Sequence, residues 1–211
     1  MDPLSRFLPQ PAPDHRFPFA ETLRRRTLAR TAYHRAELIK DLGPGLEATA
    51  FFDNDRGTGT FANALHAAVV EVDPESGAVK ILRYVVIDDC GTVINPMVVH
   101  GQVQGGTAQG IGGALLEHLV YDENGQMLSG TFMDYLLPTS AEIPNIEVVS
   151  MATPSPITPF GMKGVGEGGA IAPGACLANA VTDALVPFGA VVNATPITPE
   201  RVRQLIRGDA R

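Results

Sequence analysis

Residues 159–169 read PFGMKGVGEGG, five glycines around a single acid, Glu167. A loop so poor in Cβ atoms lets backbone come close to a bulky partner, and a carboxylate presented from it suits a general base. If Glu167 faces a dry pocket, desolvation favours its protonated form and matches a base that must return its proton. The other reading is a glycine-rich turn with a solvated acid. Gly164, Gly166 and Gly169 satisfy GxGxxG in form, but a dinucleotide fingerprint must directly follow a strand, and Pro154, Pro156 and Pro159 occupy the approach. No GxxxxG is followed by Lys-Ser or Lys-Thr, which excludes a phosphate-gripping loop. A second cluster runs from Gly101 and Gln102 through Gln109 to Gly113 and holds six glycines in a helix-periodic stretch. Each costs about 1 kcal/mol relative to alanine in a helix, so a packing or a ligand reason is required. Gln102 and Gln109 carry amides that donate and accept at once, suited to the edge of a heterocycle; close packing of two helices through small residues serves equally. A third cluster, Asp88, Asp89, Cys90 and Gly91, closes a strand. No His or Cys stands at ligand spacing to it, and His66, His100 and His118 form no HxH or HxxxH, so no residue is assigned as a metal ligand. Cys90 and Cys176 support neither a disulfide framework nor a zinc ribbon.

The elements that must position these residues follow from pattern. β-rich runs at 65–72 and 79–87, joined by Asp73, Pro74, Glu75, Ser76 and Gly77, predict a hairpin. Asn95 and Pro96 predict an N-cap and first helical residue for a helix reaching about His118. Strands are expected at 47–53, near Leu119, at 127–132 after a turn at 122–125, and at 147–152. A helix over 173–185 carries Leu177, Val181 and Leu185 on one face, and Thr198 with Pro199 caps a last helix to Ile206. Residues 21–40 are basic and helix-compatible, with Arg24, Arg25 and Arg26 as a solvated face. Hairpins and helices in mixed order, without βαβ alternation, give an α+β fold: a mixed sheet and hairpins packed with helices.

The chain has 211 residues, 45% hydrophobic and 18% charged, with 16 basic and 23 acidic side chains for a net charge of −7. An acidic balance gives no field for phosphate backbones, so nucleic acid is not an expected partner. No apolar run approaches the roughly 18 residues of a membrane span, and the N-terminus offers prolines and arginines instead of a signal core, which points to a cytoplasmic protein. Pro3, Pro9, Pro11, Pro13 and Pro18 deny residues 1–20 a regular helix and mark them as an extended arm; residues 21–211 form the domain.

Taken together the clusters resemble the C-terminal part of the molybdenum-binding large subunit of the xanthine dehydrogenase and aldehyde oxidase family, closest in style to bacterial carbon monoxide dehydrogenase large chains. The resemblance runs from about Leu46 to Ile206. It is carried by Val72, Asp73, Pro74 and Gly77; by Asp89, Cys90, Gly91, Asn95 and Pro96; by Gly101, Gln102 and Gln109 to Gly112; by Asp134, Tyr135 and Pro138; and by Gly164, Val165, Gly166 and Glu167. It implies that Glu167 is the catalytic general base beside the molybdenum and that Gln102, with Gly101, Gly164, Val165 and Gly166, binds the cofactor. That cofactor would be molybdenum–molybdopterin in its cytosine dinucleotide form, with the metal held by the pterin dithiolene. The resemblance further implies an upstream half of the molybdenum subunit, an iron–sulfur small subunit with [2Fe-2S] clusters, an FAD medium subunit and a small-molecule substrate: carbon monoxide, an aldehyde or a heterocycle oxidised with water. The domain would be a partial molybdopterin-binding domain. A non-catalytic remnant or assembly partner that keeps the fold without cofactor is the competing expectation.

Overall fold

The computed structural model describes residues 19–35, 49, 51 and 59–209. The chain divides into two units, Met1–Asp53 and Asn54–Arg211. In the first, α1 (Phe19–His34) is the one regular element among the described residues. Its arginines Arg24, Arg25 and Arg26 are exposed as expected. The expected arm lies outside the described residues apart from Phe19 and Ala20, which open α1; the expected strand at 47–53 lies outside them apart from Thr49 and Phe51.

The second unit is α+β. The hairpin forms as expected from β1 (Asn63–Val72) and β2 (Val79–Asp89), paired antiparallel with a bulge between Val69 and Val70 that leaves Leu82 unmatched. Asp73 builds the turn: its carboxylate accepts the Glu75 amide at 2.9 Å and the Ser76 hydroxyl at 2.5 Å. Gly77 closes it at φ +78°, and a Cβ there would stand 2.1 Å from the Pro199 carbonyl oxygen, so the turn admits only glycine. β3 (Ile146–Met151) joins β2 in parallel, making the mixed sheet in the order β1-β2-β3.

One sheet face takes the helices. α2 (Pro96–Leu115) starts where Asn95 Oδ1 accepts the Met97 amide at 3.1 Å, with Pro96 beginning the first turn. Its buried residues Val99, Val103, Thr107 and Ile111 recur every four positions and form one stripe. The helix ends three residues before the expected His118, because Gly112 O accepts the amides of Leu116 and Glu117 at 2.8 and 2.9 Å. α3 (Gly168–Ile171) and α4 (Pro173–Ala184) follow the glycine loop, and Leu177, Val181 and Leu185 are all fully buried beside Tyr84 and Val86. Thr198 caps α5 (Pro199–Arg207) through the Arg201 amide at 3.3 Å. The strands expected near Leu119 and at 127–132 reduce to one bridge, Tyr121 with Met127, since the Ser129 hydroxyl takes the Val120 amide and Thr131 starts a turn closed by Asp134. On the opposite sheet face the row Leu65, Ile87, Val149 lies in register, with Leu65 and Val149 exposed.

Candidate functional site

The site grows from the end of β2. Asp89 Oδ1 accepts the Gly91 amide at 2.9 Å and the Thr153 amide at 3.0 Å, and Lys163 Nζ stands 3.4 Å away. Hydrogen bonds from Thr153 first, then from Gly91, hold the Asp89 carboxyl well below the usual carboxylate range. The glycine loop docks along this strand end. Lys163 N donates to the Cys90 carbonyl at 2.8 Å, and the Gly161 carbonyl accepts the Thr92 and Ser155 amides at 3.1 and 2.9 Å. Gly91 lies at φ +71°, and a Cβ there would stand 2.3 Å from Gly161 O, so the two backbones run in direct contact.

Beyond Lys163 the loop crosses the N-terminal half of α2. Gly164 N reaches the Thr60 carbonyl at 3.4 Å, Val165 tucks against the core, and Gln102 Nε2 donates to the Gly166 carbonyl at 3.3 Å. The next residue is Glu167, which begins α3; its carbonyl accepts the Ala170 amide at 2.9 Å, while its side chain is exposed and caps nothing. The structure therefore brings Gln102, Gly166 and Glu167 together from segments far apart in sequence. In this chain Glu167 stands at the surface and not in a dry pocket.

The glycines divide into two groups. A Cβ on Gly169 would lie 2.3 Å from the Val103 carbonyl oxygen, one on Gly106 3.0 Å from Ala170 N, and one on Gly110 2.5 Å from Pro173 Cγ. These glycines let α2 and the α3–α4 segment touch, so the helix-packing reading holds for them. Gly101 and Gly105 meet nothing within 4 Å, Gly164 meets only Thr60 O at 3.7 Å, and Gly166 only Gln102 Nε2 at 3.9 Å. Among the described residues no packing accounts for this second group. The group flanks Gln102 and Glu167 as an exposed patch stripped of Cβ atoms, and that patch fits a bulky organic group approached through backbone and one amide. Gln109 is exposed on α2, away from these bonds.

Under the loop lies a polar set that the residue pattern had not joined to it. Asp88, 1% exposed, lies beneath Gly168, whose Cβ would stand 3.1 Å from Asp88 Oδ1. His66 Nδ1 and the Tyr84 hydroxyl are 3.0 Å apart. Burial pushes the Asp88 carboxyl and the Cys90 thiol up and the His66 imidazole down. In the hairpin register Asp88 stands opposite Ala64 and His66 opposite Val86, so the two share a sheet face as diagonal neighbours, a signal that the hairpin pattern could have given. His100 and His118 are exposed, and among the described residues no three His, Cys, Asp or Glu side chains cluster as metal ligands.

The α+β unit presents, from a helix and a loop, a Cβ-poor surface beside one amide and one carboxylate, with room there for part of a large ligand. The chain belongs to the molybdopterin cofactor-binding domain family, whose model matches residues 12–144, a stretch that includes Gly101 and Gln102 and ends before the Glu167 loop. The large subunit of nicotine 6-hydroxylase from Paenarthrobacter nicotinovorans is 45% identical over 165 residues, 78% of this chain and 20% of that protein. Quinoline 2-oxidoreductase from Pseudomonas putida 86 matches with a TM-score of 0.68 at 46% identity, over 69% of this chain and 19% of its own. CO dehydrogenase from Oligotropha carboxidovorans matches with a TM-score of 0.74 at 35% identity, over 86% of this chain and 22% of its own. The chain thus spans about a fifth of the length of the relatives it matches.

Proposed function

We propose that this chain supplies the general base and part of the cofactor cradle of a molybdenum hydroxylase, an oxidoreductase acting on carbon monoxide, an aldehyde or a heterocycle with water as the oxygen source. The carrying observation is the exposed glycine patch, Gly101, Gly105, Gly164 and Gly166, beside Gln102 and Glu167, which packing among the described residues does not explain. When bound, the molybdenum–molybdopterin cofactor, in its cytosine dinucleotide form, supplies the two-electron acceptor. Gly101, Gly164 and Gly166 give it backbone to lie against, and Val165 pins the loop into the core between two of them. Gln102 ties the loop to α2 through Gly166 and offers its amide at the same edge. Glu167 takes the proton from the attacking oxygen and returns it after turnover. Closure of the site by the rest of the subunit would dry the Glu167 carboxylate, the condition under which it works best as a base.

A site of this kind is completed by an upstream half of the same subunit, and the apolar row Leu65, Ile87 and Val149 on the open sheet face supports such a neighbour. Electron transfer onward assigns [2Fe-2S] clusters and FAD to an iron–sulfur and a flavin subunit. Among the described residues no helix is long and apolar enough to cross a membrane. The test is Gln102→Ala in the assembled enzyme. Loss of the tie to Gly166 and of the amide at the cradle costs about 1 to 3 kcal/mol, so molybdenum content after gel filtration, or turnover, falls clearly below the parental level. Parental metal content with parental turnover removes Gln102 from the cradle and rejects the assignment.

A further inference from the structure

Among the described residues, the buried side-chain polar atoms that make no hydrogen bond of normal geometry are His66 Nε2, both carboxylate oxygens of Asp88, and Thr107 Oγ1. They are contributed by β1, β2 and α2, yet all three residues border Gly168 and Gly169. Asp88 Oδ1 lies 3.1 Å from the place of a Gly168 Cβ, the Thr107 amide 2.9 Å from that of Gly169, and the Gly168 backbone lies beside the His66 ring. Buried polar atoms left without full partners lower stability, and their grouping under one dipeptide calls for a reason. That dipeptide directly follows Glu167.

We propose that His66 and Asp88 are positioning residues for Glu167, supporting Gly168 from beneath and so fixing where the carboxylate stands. The inference rests on the general-base reading of Glu167. Tyr84 is fully buried and fixes one ring nitrogen of His66 at 3.0 Å with the two rings at 86°, so the imidazole cannot turn and its other nitrogen is left toward Gly168. Asp88 is covered by Gly168 itself, with Asp89 on β2 and the Cys90 thiol, a weak donor just past the strand end, as its neighbours. Burial disfavours charge on both His66 and Asp88, so they act through close contact with the Gly168 backbone and not as a surface ion pair. Gln102 fixes the loop on one side of Glu167, at Gly166, and this pair fixes it on the other, at Gly168. A base displaced by about 1 Å loses on the order of 10²-fold in rate.

The experiment uses the assembled enzyme with His66→Phe, which keeps the ring and removes both nitrogens, and Asp88→Ala. Measured are kcat, KM, molybdenum content, and hydrogen–deuterium exchange of the 164–170 amides. Each variant is expected to lower kcat by about 10- to 100-fold with KM and molybdenum within about twofold of parental. Exchange at 164–170 rises while β1 and β2 exchange as before. His66→Gln, which returns a nitrogen near Nε2, and Asp88→Asn bring kcat and exchange back to within about threefold of parental. Unchanged kcat and exchange in both disruptive variants overturn the proposal, as does a joint fall of metal content, rate and protection across the sheet that the conservative variants do not reverse. Glu167→Gln measured alongside separates the two claims: a parental rate there refutes the base, whereas the exchange of 164–170 still decides whether His66 and Asp88 hold the loop.

Discussion

Gly101→Ala should make the protein more stable and its cofactor less firmly held, two effects of opposite sign from one methyl group. Gly101 lies in the second turn of α2, and an added Cβ meets nothing within 4 Å. Glycine in a helix interior costs about 1 kcal/mol relative to alanine, so the cofactor-free enzyme gains roughly that much, a rise of about 2 to 4 °C in the unfolding midpoint for a unit of this size. The same Cβ stands in the glycine patch beside Gln102. Forcing a methyl against a seated ligand costs about 1 to 3 kcal/mol, which at 1.4 kcal/mol per factor of ten weakens retention by about 5- to 150-fold. Gly113→Ala is the internal control: it is also open, lies on the same helix about 18 Å farther along at 1.5 Å per residue, and adds the same helix propensity away from the patch. Thermal melts of the cofactor-free forms and molybdenum content after gel filtration read both effects. Both variants should melt higher, and only Gly101→Ala should lose metal. Parental molybdenum in Gly101→Ala, or equal loss in Gly113→Ala, would show that Gly101 does not lie against the cofactor.

Gly169→Ala should fail in the opposite manner: its Cβ would lie 2.3 Å from the Val103 carbonyl oxygen, about 1 Å inside ordinary contact, so stability falls by about 1 to 3 kcal/mol and turnover by up to about 10²-fold. Denaturant midpoints and kcat check it, and parental values for both would contradict the packing described between α2 and α3. Asp89 sets an acid limit. Its folded-state pKa is lowered from 3.8 chiefly by the Thr153 hydrogen bonds, so its contribution is complete above the unfolded-state value and is lost as pH falls below it toward the folded-state value. Asp89→Asn should therefore lower stability at neutral pH and flatten the decline below about pH 4 in urea midpoints taken across pH; an unchanged acid limb would refute the assignment.

Local chemistry made the frame legible. Asn95 with Pro96, Thr198 with Pro199, and the Asp73 turn each start or close an element where expected, because caps and turns satisfy their own backbone groups within a few residues. The face Leu177, Val181 and Leu185 was equally plain, and all three are buried. Strands at 119–132 were not formed, since the Ser129 and Thr131 side chains satisfy that backbone in turns. The short helix α3 after Glu167 went unread because two glycines open it and its stability comes from contact with α2. At the site, residue types singled out Gln102 and Glu167, but their meeting through Gly166 is a tertiary contact that spacing cannot express. Helix packing and a ligand had stood as equal explanations for the glycines of α2. Three-dimensional placement divides them, Gly106 and Gly110 to the first and Gly101 and Gly105 to the second.

If Glu167 moves the proton, Glu167→Gln in the assembled enzyme must remove that transfer alone, since the amide keeps the shape of the acid and cannot take the proton. Molybdenum content and folding are expected at the parental level, with turnover lowered by a factor on the order of 10² to 10⁴ at every pH examined. A Glu167→Gln enzyme that holds its molybdenum and turns over at the parental rate across pH would contradict that role and reduce the loop at 159–169 to a tight turn.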